Sequence, residues 1–99
     1  MRVLVIQAWT LDPAPVQTAL ERAGITASIT RVDFLASLQA ALVRDRFDAA
    51  ILDPTTPELT PELVAAACQE NGRDIPLVIM EDVAQVGTQL RYAVEHRRH

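Results

Sequence analysis

The sequence predicts an α/β protein in which four strands alternate with four helices, so that helices cover both faces of an open parallel sheet. The main observation is that short apolar runs rich in β-branched residues alternate with longer stretches whose apolar residues recur at helical spacing. The second is size, because 99 residues, 49% of them hydrophobic, are enough for one buried core but hardly for two. We therefore expect a single domain spanning residues 1–99. The solitary Cys68 cannot form an internal disulfide, which favours a reducing compartment.

The first half of the chain contains two strand–helix units. Residues 2–6 (RVLVI) form a continuous apolar run, typical of a strand buried on both faces. Asp12 is placed to cap the first helix and Gly24 to end it. Residues 27–32 (ASITRV) alternate in polarity as a half-exposed strand does, and Asp33 is predicted to cap the second helix. The apolar stripe of that helix consists of Leu35, Leu38, Ala41 and Leu42.

The second half repeats the pattern. Residues 48–53 (DAAILD) predict a third strand, and the three prolines of the following PTTPELTP segment prevent regular structure until Thr60 caps a third helix. Residues 75–80 (IPLVIM) predict a fourth strand, which is apolar throughout. Asp82 is the expected cap of the last helix. The apolar stripe of that helix consists of Val83, Val86, Leu90, Ala93 and Val94.

Composition excludes several classes of function. The three glycines lie far apart, so the chain contains neither a dinucleotide-binding glycine fingerprint nor a phosphate-binding P-loop. No apolar run approaches the length of a membrane span and no signal peptide is recognisable, so we expect a cytoplasmic protein without membrane contact. The only serines, Ser28 and Ser37, and the histidines of the tail do not form a pattern that supports a serine hydrolase.

The charge balance argues against general nucleic-acid binding. The formal net charge is −4, whereas phosphate contacts need a basic surface. Residues 91–99 are a local exception with a formal charge of +2, which leaves −6 for the rest of the chain. A small nucleic-acid-associated adaptor using Arg91, Arg97 and Arg98 is therefore a third, weaker hypothesis. His96 and His99 have helical spacing, but a chain end offers no rigid metal site.

Residues 47–80 (FDAAILDPTTPELTPELVAAACQENGRDIPLVIM) resemble the receiver domain of bacterial two-component response regulators. The likeness consists of three features. Asp53 ends the third strand, Pro57 follows four residues later, and the fourth strand begins with Ile-Pro. Residues 24–42 (GITASITRVDFLASLQAAL) resemble receivers found beside sensor kinases and cyclic-dinucleotide-signalling domains. The resemblance implies a flavodoxin-like three-layer sandwich with strand order 2-1-3-4, here lacking the usual fifth strand and helix.

The same resemblance implies an active site from which this sequence departs. Asp53 occupies the position of the phospho-acceptor, and Thr55 the position whose backbone carbonyl helps to hold magnesium. The two acidic residues that follow the first strand in working receivers are replaced by Gln7 and Ala8. The position of the phosphate-sensing Ser or Thr is occupied by Glu81, and the chain contains no lysine to serve as the family's basic residue.

These departures predict a receiver-like scaffold without its switch chemistry. Magnesium prefers carboxylate oxygens, and phosphoryl transfer needs the cation to neutralise developing charge. The leading hypothesis is therefore a non-catalytic pseudo-receiver without a cofactor, which binds a signalling protein or a linked sensor or output domain. The alternative is an active receiver that is phosphorylated on Asp53 by a histidine kinase and uses Mg²⁺. An aspartate before a proline-rich turn is also commonly a simple turn former.

Two surfaces are candidate partner sites. Trp9 follows the first strand, where its indole would either fill the space of the lost metal site or anchor a partner. If residues 82–99 correspond to the family's fourth helix, the strand at residues 75–80 lies at the sheet edge. We expect its exposed apolar surface to be covered by a second copy, which would make a homodimer, or by another domain or protein. A weaker alternative is that the last helix pairs with a partner helix. Its contact residues would be Val83, Val86, Leu90 and Val94.

Overall fold

The structure, a computed structural model, describes residues 1–96. The strands are β1 (Arg2–Ile6), β2 (Ser28–Val32), β3 (Ala49–Leu52) and β4 (Leu77–Ile79). The helices are α1 (Ala14–Arg22), α2 (Leu35–Arg44), α3 (Pro61–Glu70) and α4 (Val83–Glu95). All strand pairs are parallel and the sheet order is β2-β1-β3-β4, which confirms the predicted α/β architecture and strand order.

Side-chain hydrogen bonds at the helix ends confirm two of the four predicted caps. Thr60 Oγ1 accepts from the Leu63 amide and Asp82 Oδ1 from the Ala84 amide. Asp12 lies one residue before the N-cap of α1, which is Pro13, but its Oδ1 accepts from the Ala14 amide at 2.9 Å. These side chains satisfy amides that the first turn of a helix leaves without backbone partners.

The predicted cap of α2 is wrong. The N-cap residue is Phe34, not Asp33, and the Phe34 side chain makes no capping hydrogen bond. Ser37 instead stabilises the first turn, because its hydroxyl lies 3.3 Å from Phe34 N and 2.8 Å from Phe34 O. The first turn of α2 is therefore organised by a residue inside the helix.

Two apolar layers hold the helices against the sheet, because alternate side chains of each strand point to opposite faces. One layer joins the sheet to α1 and α4 through Val3, Val5, Val16, Leu20, Ala49, Ile51, Val78, Met80, Val86 and Leu90. The other joins it to α2 and α3 through Leu4, Ile6, Val32, Leu38, Leu42, Ala50, Leu52, Val64, Ala67 and Cys68. Burial raises the pKa of the Cys68 thiol, so Cys68 packs as a small apolar side chain.

Helix α4 packs on the face of the sheet opposite to the one expected for a helix that connects β4 to a further strand. A right-handed connection from β4 to a further strand beyond it would place the helix beside α2 and α3. Instead, α4 turns back and packs against α1 and the opposite face of the sheet. It therefore completes the α1 layer and does not leave that layer open for a second copy.

Strand β4 is shorter than the apolar run predicted, and it lies at the edge of the sheet as expected. Its Ile79 is 38% exposed, and Leu63 on the neighbouring helix α3 is 42% exposed. None of the helices formed by residues 1–96 is both long enough and apolar enough to span a membrane.

Candidate functional site

The carboxyl ends of β1 and β3 bring Gln7 and Asp53 together. The two strands pair with Ile6 opposite Leu52, and the Asp53 amide continues the ladder by donating to Ile6 O at 2.9 Å. Gln7 and Asp53 therefore occupy neighbouring register positions, as the receiver resemblance implies, and they are 4% and 7% exposed. In open parallel sheets such an edge, where strand order reverses, is the usual place for a site.

The Asp53 carboxylate is already bound within its own turn. Its Oδ1 accepts from the Thr55 amide at 2.9 Å and from Thr55 Oγ1 at 2.7 Å. Thr56 Oγ1 lies 2.7 Å from Asp53 O and 3.2 Å from Ile6 O, which ties this turn to β1. Asp53 thus organises the loop after β3 in the manner of an Asx turn. Thr55 contributes its amide and hydroxyl to the carboxylate, whereas the resemblance assigned a role to its backbone carbonyl.

Neutral and exposed groups occupy the other positions of the implied acidic pocket. Gln7 Oε1 is buried and has no hydrogen-bond partner. Ala8 contributes its backbone oxygen, which accepts from Arg31 Nη2 at 2.6 Å. Glu81 lies in an exposed turn between β4 and α4. Within residues 1–96, no group of three or more His, Cys, Asp or Glu side chains is arranged to hold a metal ion.

Trp9 does not fill the space of the lost metal site. It is 61% exposed, and the guanidinium carbon of Arg31 lies 4.7 Å from its ring centroid. Arg31 Nη2 also donates to Leu11 O at 3.0 Å, so one side chain fixes both the indole and the loop after β1. The pocket-filling interpretation of Trp9 is wrong, and its role as a partner anchor stays a prediction.

Beside Trp9 lies a groove of about 490 Å³ between the loops that follow β1, β2 and β3. We call it the loop groove. It is lined by Ala8, Trp9, Thr10, Asp33, Phe34, Leu35, Pro57, Glu58 and Leu59. Sequence reasoning missed Phe34, Leu35 and Glu58 as site residues. The available signal was an aromatic residue at the start of a helix, where a capping residue is usual.

The predicted contact residues of α4 separate into two groups. Val86 and Leu90 are fully buried against α1 and the sheet, so the prediction that they face a partner is wrong. Val83 and Val94 are half-buried at the margin of the same layer. The periodic stripe that suggested a partner helix is satisfied within the chain.

The remaining candidates are structural or lie at the chain end. Asp82 caps α4 through its Oδ1. His96 stacks on Tyr92 with 3.9 Å between ring centroids, and its Nδ1 lies 2.8 Å from Tyr92 O. Arg91 lies 3.9 Å from Glu95 and donates to Ala23 O. The predictions that involve Arg97, Arg98 and His99 lie outside the described residues.

Comparison with known proteins adds no identification. No protein-family model matches the chain, and no curated protein matches it.

Proposed function

We propose that this protein is a non-catalytic pseudo-receiver of two-component-type signal transduction, which acts in the cytoplasm by binding other proteins. The proposal combines the sequence likeness around Asp53 with the strand order β2-β1-β3-β4. The observation that carries the non-catalytic part is the state of Asp53, whose Oδ1 accepts two hydrogen bonds from Thr55 inside one turn.

Electrostatics supports the absence of phosphate chemistry. A magnesium ion at this edge would have Asp53 as its carboxylate ligand, because Gln7 and Ala8 replace the acidic pair. Magnesium demands several oxygen ligands in octahedral geometry, and without it the charge that develops on a transferred phosphoryl group is not neutralised. Magnesium binding through Asp53 Oδ1 would also compete with the Thr55 hydrogen bonds.

The test is incubation of the full chain with acetyl phosphate and MgCl₂, followed by intact-mass spectrometry. We expect no phosphorylated species in the wild-type protein. The matched comparison is a Gln7→Asp/Ala8→Asp variant, which restores the two missing carboxylates and should increase magnesium affinity measured by titration calorimetry. Its own Asp53→Asn derivative identifies the residue that any phosphate modifies.

The alternative, an active phospho-acceptor receiver, makes the opposite prediction. If the wild-type protein gains one phosphate and Asp53→Asn does not, the non-catalytic proposal is wrong. Phosphorylation of the wild-type protein by a histidine kinase would have the same meaning.

Self-association is part of the proposal. Strand β4 has a free edge, and Ile79 of β4 and Leu63 of α3 are each more than one third exposed. Free edges with apolar side chains favour pairing between copies. We expect light scattering to show a dimer that Ile79→Lys converts to a monomer, whereas Val43→Lys on the exposed side of α2 leaves it unchanged. A monomeric wild-type protein would contradict this part.

A further inference from the structure

Departures from ordinary local structure concentrate at the loop groove. Phe34 occupies the N-cap of α2 without capping it, although Ser, Thr, Asp and Asn stabilise that position. Glu58 has φ = 64°, the left-handed region that a side chain with a Cβ rarely adopts. Asp33 Oδ1 is buried without a hydrogen-bond partner. Such departures are typical of binding sites, where function and local stability favour different residues.

The groove also presents two exposed aromatic side chains. Trp9 is 61% exposed and Phe34 is 55% exposed, and both line the same groove. Arg31 fixes the position of the Trp9 side chain through its contact with the indole and its hydrogen bonds to the loop carbonyls. A side chain that is already ordered loses little entropy on binding, and tryptophan is prominent among residues that dominate protein interfaces.

The charges of the residues that line the groove indicate which kind of ligand it would bind. Among the described residues that line the groove, the charged ones are Asp33 and Glu58, both carboxylates. Asp33 Oδ1 is buried without a hydrogen-bond donor, so the negative charge of Asp33 is poorly compensated beside the groove, and an arginine or lysine in the groove would balance it. An anionic ligand would instead be repelled by both carboxylates. The occupant therefore combines an apolar group with a cation.

The shape favours a polypeptide segment over a small molecule. Small-molecule sites enclose most of the ligand surface, whereas here the two aromatic side chains remain more than half exposed. Three separate loops form the walls, so a segment lying across them contacts all three. Apolar contact with exposed aromatic side chains and pairing with carboxylates are both common at peptide-binding surfaces.

We propose that the loop groove binds a short segment of a partner protein, in which an apolar side chain contacts Trp9 and Phe34 and a neighbouring arginine or lysine pairs with Asp33. Glu58 adds a second carboxylate at the rim of the groove. This inference rests on the proposed function, because it names the chemistry of the protein that the pseudo-receiver would bind.

The test is selection of a phage-displayed library of random peptides on the full chain. Enriched peptides are then synthesised without tryptophan, and their binding is followed by the emission of Trp9, the only tryptophan in the sequence. We expect the enriched peptides to share an apolar or aromatic residue close to arginine or lysine. We also expect Phe34→Ser, which provides an ordinary capping residue, to weaken their binding about tenfold while the thermal midpoint stays the same or rises.

Two further variants separate the parts of the inference. Asp33→Asn should weaken binding several-fold and reduce its dependence on salt, because it removes the charge that pairs with the peptide cation. Val43→Ser is the matched control, since Val43 is 72% exposed on α2 and does not line the groove. It should leave the affinity unchanged.

The proposal is wrong if the library yields no enriched peptide, if the enriched peptides lack a basic residue, or if they bind Phe34→Ser and Asp33→Asn as tightly as the wild-type protein. These outcomes are distinguishable from failure of the proposed function. Phosphate transfer to Asp53 would overturn the pseudo-receiver assignment whatever the groove binds, whereas absence of peptide binding together with absence of phosphate transfer would overturn the groove alone.

Discussion

At the interface between α1 and α4, the residues serve close packing of the two helices. Leu20 of α1 and Leu90 of α4 are almost fully buried, and both occupy the apolar stripes of their helices. Gly87 lets the helices approach closely, because a Cβ there would lie 2.4 Å from Ala19 O. At the loop groove, by contrast, Phe34 replaces a capping residue and Glu58 adopts a left-handed conformation.

The unsatisfied polar atoms show the same contrast. Within residues 1–96, the buried side-chain atoms without a hydrogen-bond partner are Gln7 Oε1, Arg31 Nε, Asp33 Oδ1 and Arg73 Nε. Of these, Arg73 Nε lies away from the carboxyl edge of the sheet, because the Arg73 side chain donates to Leu42 O at the end of α2. Gln7 and Asp33 follow β1 and β2 directly, and the Arg31 side chain reaches the loop after β1. The helical interface thus serves stability, while the carboxyl edge of the sheet keeps groups that a more stable protein would replace.

Gly87→Ala gives the largest expected effect. The added methyl group would also lie 2.8 Å from Ala23 Cβ, so α1 and α4 must separate. We expect a loss of about 2 kcal/mol in the free energy of unfolding, measured by urea denaturation. The adjacent Thr88→Ala, at an exposed position of α4, should change it by less than about 0.5 kcal/mol. Helix propensity alone would make Gly87→Ala stabilising by about 1 kcal/mol, so a gain would refute the close approach.

The strands and helices could be predicted because their apolar residues recur at regular spacing and the strand–helix unit repeats along the chain. Strands β1 and β3 are continuous apolar runs, and Thr60 and Asp82 mark helix starts by their own hydrogen-bonding chemistry. The face on which α4 packs could not be predicted in the same way. An amphipathic stripe shows that one side is buried but does not identify the surface that buries it, and no strand follows α4 within the described residues to fix the handedness.

The site was predicted by position but not by contacts. The receiver resemblance placed Gln7 and Asp53 at one edge of the sheet, and the register confirms that they are neighbours. The hydrogen bonds from Thr55 to Asp53 and the stacking of Arg31 on Trp9 depend on loop geometry, which has no periodic signal. The loop groove was missed for the same reason, since its walls come from three loops far apart in sequence.

Gln7→Met tests the comparison at the loops that follow the strands. Methionine has similar length but no amide oxygen, so the substitution removes a buried acceptor that lacks a partner. We expect the free energy of unfolding to rise by about 1 kcal/mol. Gln17→Met, on the exposed surface of α1, is the matched control and should change it by less than about 0.5 kcal/mol. A destabilised Gln7→Met protein would show that the Gln7 amide contributes more through its other contacts than its unpartnered oxygen subtracts.

Glu58→Gly gives the smallest expected effect and separates stability from binding. Glycine adopts φ = 64° without steric strain, but it also increases the entropy of the unfolded chain, so these two contributions partly cancel. We expect a net gain of about 0.5 kcal/mol in the free energy of unfolding, whereas the control Glu62→Gly, in the first turn of α3, should lose about 1 kcal/mol. The same Glu58→Gly protein should bind the basic peptides selected on the groove more weakly, because it lacks the rim carboxylate. Equal or tighter peptide binding would mean that Glu58 takes no part in the groove's charge. A loss of stability would mean that the strain relieved is smaller than the entropy that glycine adds to the unfolded chain.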